Sequence, residues 1–127
     1  AESLPIEDES FDFATMITTD CFLSDIPKAF SEVHRILKPT GLFIIGMIDK
    51  DSELGEKYEL KKSENKFYKN ANFHNVKELT EILSQKGFSN FSFWQTLVNL
   101  DENIIEKPLT GFGKGSFVVI QSIRSKN

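Results

Sequence analysis

The groups in this chain that could do chemistry sit mostly at the ends of apolar runs. Asp20-Cys21-Phe22 puts a thiol next to a carboxylate. A nucleophilic cysteine needs a neighbour that lowers its pKa, and no His, Lys or Arg adjoins Cys21. A small packed or pocket-lining cysteine is the better reading. Glu7-Asp8-Glu9 has the donor types of a metal cluster, but adjacent carboxylates in a polar turn are ordinarily just solvated. His34 stands between Val33 and Arg35 with no ligand partner four residues away, and reads as an exposed helix residue. Gly111-Phe112-Gly113-Lys114-Gly115 has the spacing of a phosphate-cradling turn. Such a turn follows a strand and opens a helix, so that helix N–H groups face the ligand. This one follows a loop with Pro108 and precedes a strand-like run from Ser116 to Ile123, so it reads as a flexible loop. No pair of residues forms a recognisable catalytic dyad.

The elements that must position these groups are organised around residues 25–49. Ile26, Ala29, Phe30, Val33, Ile36 and Leu37 recur at helical spacing. Asp25 with Pro27 marks the start of that helix, and Pro39 ends it. Lys38-Pro39-Thr40-Gly41 suits a type I turn. Leu42 to Ile48 is apolar throughout, as in a strand covered on both faces. Upstream, Phe11 to Thr18 reads as a second buried strand, which makes a right-handed βαβ unit. Ligands in such sheets lie outside the carboxyl ends of the strands, which marks residues 17–22 and 48–52.

A resemblance joins these features. AESLP, the SFD opening of the first strand and RILKPTG occur in order and at matching separation between Ala1 and about Ser52. As a set they resemble class I S-adenosylmethionine-dependent methyltransferases, most of all the small-molecule, methyltransferase type 11-like group. The resemblance implies an α/β fold: the C-terminal half of a Rossmann-like methyltransferase fold. Its sheet would be mixed and mostly parallel, ending in an antiparallel hairpin, with helices packed on it. Four strands in the order 1-2-4-3 are expected. In the family a strand, a glycine-rich turn and a helix come first and hold the methionine part of the cofactor; an acidic residue after the next strand holds the ribose. Neither has a counterpart here, so residues 1–127 are expected to form a single partial domain.

The resemblance also implies where S-adenosylmethionine would lie. Ala1 and Glu2 fall beside the adenine ring, and Ile17, Thr18 and Cys21 along the sulfonium end. Many relatives carry Leu-His-His where this chain has Asp20-Cys21-Phe22. Phe22, Tyr68 and His74 are the candidates for the acceptor pocket. Methyl transfer from a sulfonium is an in-line displacement that depends on holding donor and acceptor in line, and a base helps only where the acceptor must lose a proton. No residue is therefore assigned a catalytic role, and no metal is expected.

The remaining chain is read from pattern. Ser52 or Asp51 caps a charged helix running to about Lys62, with Leu54 and Tyr58 its apolar pair; a mobile cover over the ligand edge and a plain surface helix are both compatible. Phe67-Tyr68 either shapes a pocket or tucks under its loop. Asn75 with Glu78 opens a helix bearing Val76, Leu79, Ile82 and Leu83, which Gly87 ends. Phe88 to Leu97 is strand-like, residues 99–115 are a long loop, and a last strand follows. Fifteen Lys and Arg against nineteen Asp and Glu give a net charge of −4, which offers no support for nucleic-acid binding. No apolar run spans a membrane and no signal peptide is evident; with one cysteine, a cytoplasmic location is expected. Two functional classes stand: part of a methyltransferase acting on a small molecule, binding its cofactor weakly or not at all alone, or a non-catalytic half-fold. In either case the bare strand edge suggests a homodimer.

Overall fold

A computed structural model of the chain describes residues 3–62, 64, 70–100 and 105–125. Ala1, Glu2, Phe67 and Tyr68 lie outside the described residues. The elements run β1 (Phe11–Ile17), a single 3-10 turn (Asp20–Phe22), α1 (Ile26–Ile36), β2 (Leu37–Ile48), α2 (Glu53–Lys61), α3 (Val76–Gln85), β3 (Phe88–Thr96), β4 (Leu109–Thr110) and β5 (Phe117–Arg124).

The helices begin where the short polar side chains put them. Asp25, Ser52 and Asn75 each accept a hydrogen bond from the backbone N–H three residues on, satisfying a donor that the first turn leaves unpaired. Helix α1 stops at Ile36, since Leu37 is already extended and Pro39 bars Lys38 from the helical region. Gly87 leaves α3 at φ +89°, a conformation cheap only for glycine. The Lys38–Gly41 segment is not the expected type I turn. Thr40 sits at φ +66°, and the segment forms an irregularity inside β2: Phe11 pairs with Leu37, but Phe13 pairs with Leu42.

The sheet order is β1-β2-β5-β3-β4. The four long strands thus take the expected 1-2-4-3 arrangement, and the two-residue β4 adds an edge inside what reads as loop in the sequence. The sheet is mixed, but it is not mostly parallel. Only β1–β2 is parallel; β2–β5, β3–β5 and β3–β4 are antiparallel. The reason is topological: β5 enters between β2 and β3 from the opposite direction, so every pairing beyond β2 reverses.

Helices α1 and α3 cover one face. Residues paired in register share a face, so Met16, Ile45 and Ile120 stand together, with Phe43, Met47 and Val118 beside them. Phe30 and Val33 from α1 and Leu79 and Leu83 from α3 close this core. Phe43 bridges the rings of Phe30 and Phe88 at 5.4 and 5.3 Å. The other face carries Phe13, Ile17, Ile44, Val119 and Trp94. Phe13 is 63% exposed and Ile17 52%. β1 is therefore not the buried strand its apolar run suggests. It is an edge strand with one face open, and Met16 belongs to the covered face rather than to the exposed patch around Phe11 and Phe13.

The Glu32-x-x-Arg35 spacing inside α1 ties the N-terminal loop to the domain. Arg35 donates to the carbonyls of Leu4 and Ile6 and to the carboxylates of Glu32 and Asp8, while Glu32 accepts from the Leu4 N–H. The Arg35 guanidinium and that N–H hold the Glu32 carboxyl down at about 2. Asp8 is thus more than a solvated carboxylate, and Glu9 Oε1 lies 3.7 Å from Arg124.

Candidate active site

The two strand ends marked by the sequence meet. A cavity of about 310 Å³ opens at the carboxyl ends of β1 and β2, lined by Thr18, Asp20, Cys21 and Phe22 after β1 and by Ile48 at the end of β2. Tyr58 from α2 and Phe73 from the segment before α3 complete the wall, their rings stacked at 5.7 Å. Its size is that of a small-molecule site.

The loop after β1 is held in an uncommon conformation. Thr18 sits at φ +49° while its N–H donates to the Gly46 carbonyl. A β-branched residue is strained there, and such strain gathers at functional sites. It brings the 3-10 turn against the strand ends and buries Asp20 and Cys21. Cys21 Sγ lies 3.6 Å from the Thr18 carbonyl. Burial, then the Asp20 carboxylate, push its thiol up to about 11. It is a neutral lining residue, which agrees with the packed reading and not with a nucleophile.

Asp20 is the feature the sequence did not disclose as important. Its side chain is 3% exposed, and its Oδ2 lies 3.2 Å from His74 Nδ1. A buried carboxylate needs such a partner. The two residues are 54 positions apart, and they meet because Asp49 bridges to His74 while the Lys50 N–H donates to the His74 carbonyl. That backbone bridge docks the segment before α3 against the end of β2. His74, a pocket candidate, therefore supports the site through Asp20 and does not itself line the cavity. Phe22 does line it. Ile17 points to the open sheet face instead, and Tyr68 lies outside the described residues.

Helix α2 is a wall of this site. Only Gly55 is buried in it, and the reason is contact: a Cβ there would stand 2.1 Å from the Asp49 carbonyl oxygen. Glycine lets the helix start touch the strand end, which places Tyr58 over the cavity. Lys62 Nζ donates to the Ala71 carbonyl and anchors the far end. Asp49 is itself buried, and burial first raises its carboxyl above the usual range, although the Asp51 N–H opposes this.

The glycine run is no cofactor cradle. Gly111 and Gly113 adopt positive φ in a loop between β4 and β5, with no helix following. Buried Gln95 pins it, accepting from the Lys114 and Gly115 N–H groups. His34 also departs from its sequence reading. It is half-buried, edge-on to Phe88 at 5.5 Å, and its Nε2 is buried with no hydrogen-bond partner among the described residues. It fits because Gly87 has no side chain, since a Cβ there would lie 2.6 Å from that nitrogen.

The mixed sheet with helices on its face and a cavity at the strand ends is an α/β fold of the Rossmann-like type. Residues 1–45 match the family model described as a methyltransferase domain. A crystal structure from Thermotoga maritima, of a methyltransferase dependent on S-adenosylmethionine and described as a possible histamine N-methyltransferase, is similar at 44% identity and a TM-score of 0.93. The similarity covers 98% of this chain and 61% of that one. An uncharacterized protein of Methanocaldococcus jannaschii is 42% identical over 95% of this chain and 60% of its own length. Squalene methyltransferase 1 of Botryococcus braunii is 28% identical over 87% of this chain and 25% of its own. The chain shares the fold of S-adenosylmethionine-dependent methyltransferases and is similar to them in sequence, and it spans about three fifths of the length of the first two of these relatives. No described helix is long and apolar enough to cross a membrane.

Proposed function

We propose that this chain is the acceptor-side portion of a methyltransferase that moves a methyl group from S-adenosylmethionine to a small molecule. The observation that carries the reading is the cavity at the carboxyl ends of β1 and β2, on a fold shared with an enzyme of that chemistry. When bound, the cofactor supplies an electrophilic methyl group on a sulfonium. The residues here suit one end of it. Thr18 and Cys21 line the cavity, and the family resemblance adds Ala1 and Glu2 beside the adenine. The glycine-rich turn and the ribose-binding acid that would hold the remainder have no counterpart in the 127 residues. In this reading the chain alone binds the cofactor weakly or not at all, and it works in the cytoplasm as part of a larger domain. Its own residues exclude water and orient the acceptor through the Phe22, Tyr58 and Phe73 rings. Transfer of labelled methyl groups to a metabolite extract by the chain joined to a cofactor-binding half tests this. Labelled product supports it, and cofactor binding without any transfer would remove it.

The open sheet face favours a second reading, a half-fold that dimerises. Phe11 and Phe13 lie exposed on an edge strand that has neither lysine nor proline to block pairing. Light scattering over a dilution series tests the dimer. A mass of twice 14.5 kDa supports the dimer, and a monomer at high micromolar concentration rules it out.

A further inference from the structure

The cavity pairs aromatic walls with a buried negative charge, and that combination selects for a cation. Phe22, Tyr58 and Phe73 present rings, and the Asp20 carboxylate lies in the lining between them. Aromatic faces attract organic cations, most strongly where water is excluded. The Asp20 side chain is 3% exposed, and among the described residues its side-chain partner is His74 alone, at one oxygen. A carboxylate accepts at two oxygens, so the second remains to receive a donor from the cavity. The negative charge acts inside the cavity, since Asp20 is one of the causes that raise the Cys21 thiol. Among the described residues no Lys or Arg lines the cavity to pair with a carboxylate acceptor.

We infer that this cavity is an organic-cation site, and that its occupant is the ammonium group of an acceptor amine. This extends the methyltransferase reading to a substrate class and rests on it for the fate of the amine. Binding itself rests on the cavity alone. The bound ammonium loses a proton to water at the open mouth beside half-exposed Phe22. The free amine then attacks the methyl carbon: the N–C bond forms, the S–C bond breaks, its electron pair stays on sulfur, and S-adenosylhomocysteine leaves. Asp20 is the residue that touches the substrate, and His74 is a positioning residue that fixes the carboxylate. The other source of a cation at this place is the sulfonium of the cofactor, whose demethylated product has a neutral sulfur.

Nuclear magnetic resonance titrations of the chain with 2-phenylethylamine and 2-phenylethanol test the assignment. The amine is expected to shift the amides of residues 18–22 and 73–74 saturably, and to bind at least tenfold more tightly than the alcohol. Asp20→Asn should remove that preference. If Asp20→Asn does not fold, Phe22→Ala at the exposed wall should weaken the amine several-fold, and His74→Gln should weaken it less while retaining the preference over the alcohol. Equal affinity for amine and alcohol, or an amine affinity unchanged in Asp20→Asn and Phe22→Ala, would overturn the proposal. Competition identifies the source of the cation: S-adenosylmethionine displacing the amine where S-adenosylhomocysteine does not would assign the site to the sulfonium. Amine binding by the chain joined to a cofactor-binding half, with cofactor bound and no methyl group transferred, would overturn the methyltransferase reading and leave the cation site standing.

Discussion

Two neighbouring isoleucines in β2 should respond very differently to the same truncation. Ile45 is fully buried on the helix-covered face, in register with Met16 and Ile120. Ile44 lies on the opposite face, half-buried, in register with Thr15 and Gln121. Changing isoleucine to alanine removes three carbon groups. At about 0.8 kcal/mol each, that is about 2.4 kcal/mol of transfer energy for Ile45. A partly relaxed cavity among Phe43, Met47 and Ile120 adds about 1 kcal/mol, giving roughly 3–4 kcal/mol. Ile44→Ala opens no closed cavity and loses about half of the transfer term, roughly 1 kcal/mol. At about 4 °C per kcal/mol for a domain of this size, the melting temperature should fall by about 14 °C for Ile45→Ala and about 4 °C for Ile44→Ala. Thermal melts followed by far-ultraviolet circular dichroism read both. Equal losses would show that the second face is also covered, and would refute the one-sided sheet. If the cost of Ile44→Ala rises to that of Ile45→Ala once the chain is joined to a cofactor-binding half, that half covers the open face.

Three further outcomes follow from individual contacts. Asp49→Asn should raise stability at pH 7: burial lifts the folded carboxyl pKa, so stability is lost as pH rises from about 4 through that raised value. Asparagine keeps an oxygen for the Asp51 N–H, and melts at pH 4 and pH 7 should show the gain shrinking at the lower pH; a loss equal at both would contradict it. Gly55→Ala should cost about 1–3 kcal/mol, because α2 must lift off the Asp49 carbonyl; urea melts check this, and an unchanged midpoint would mean the helix start is not in contact. Burial, and then Arg124, lower the His34 pKa. The unfolded chain therefore takes up that proton first, and stability falls as pH drops below about 6.5. His34→Leu should flatten this part of the pH–stability curve between pH 7.5 and 5.5, and an unaltered slope would show that His34 is already charged in the fold.

Local signals were legible where a short-range rule decides. Asp25, Ser52 and Asn75 announce their helices because a cap needs only the three residues that follow it. The order of the long strands came from the family resemblance and the cavity's position from βαβ geometry, so Thr18, Cys21 and Phe22 stand where the strand ends imply. The directions beyond β2 were not legible in apolar runs, since an antiparallel and a parallel strand bury the same residues. β1 misled for a related reason: Phe11 and Phe13 look like core, and only the absence of a layer above them makes them surface. Asp20 was passed over because its partner, His74, is remote in the chain, and nothing local distinguishes a buried aspartate from a solvated one. Glycine is a poor helix former, yet Gly55 is what lets α2 reach the site.

The account stands or falls on how the chain meets its cofactor. Calorimetric titration of S-adenosylmethionine into the 127-residue chain, and into the same chain joined to the part of the Thermotoga maritima relative that has no counterpart in it, measures this directly. The account predicts no saturable heat for the chain alone and a dissociation constant near micromolar, about −8 kcal/mol, for the joined protein. Micromolar binding by the chain alone, or none by either, would contradict it.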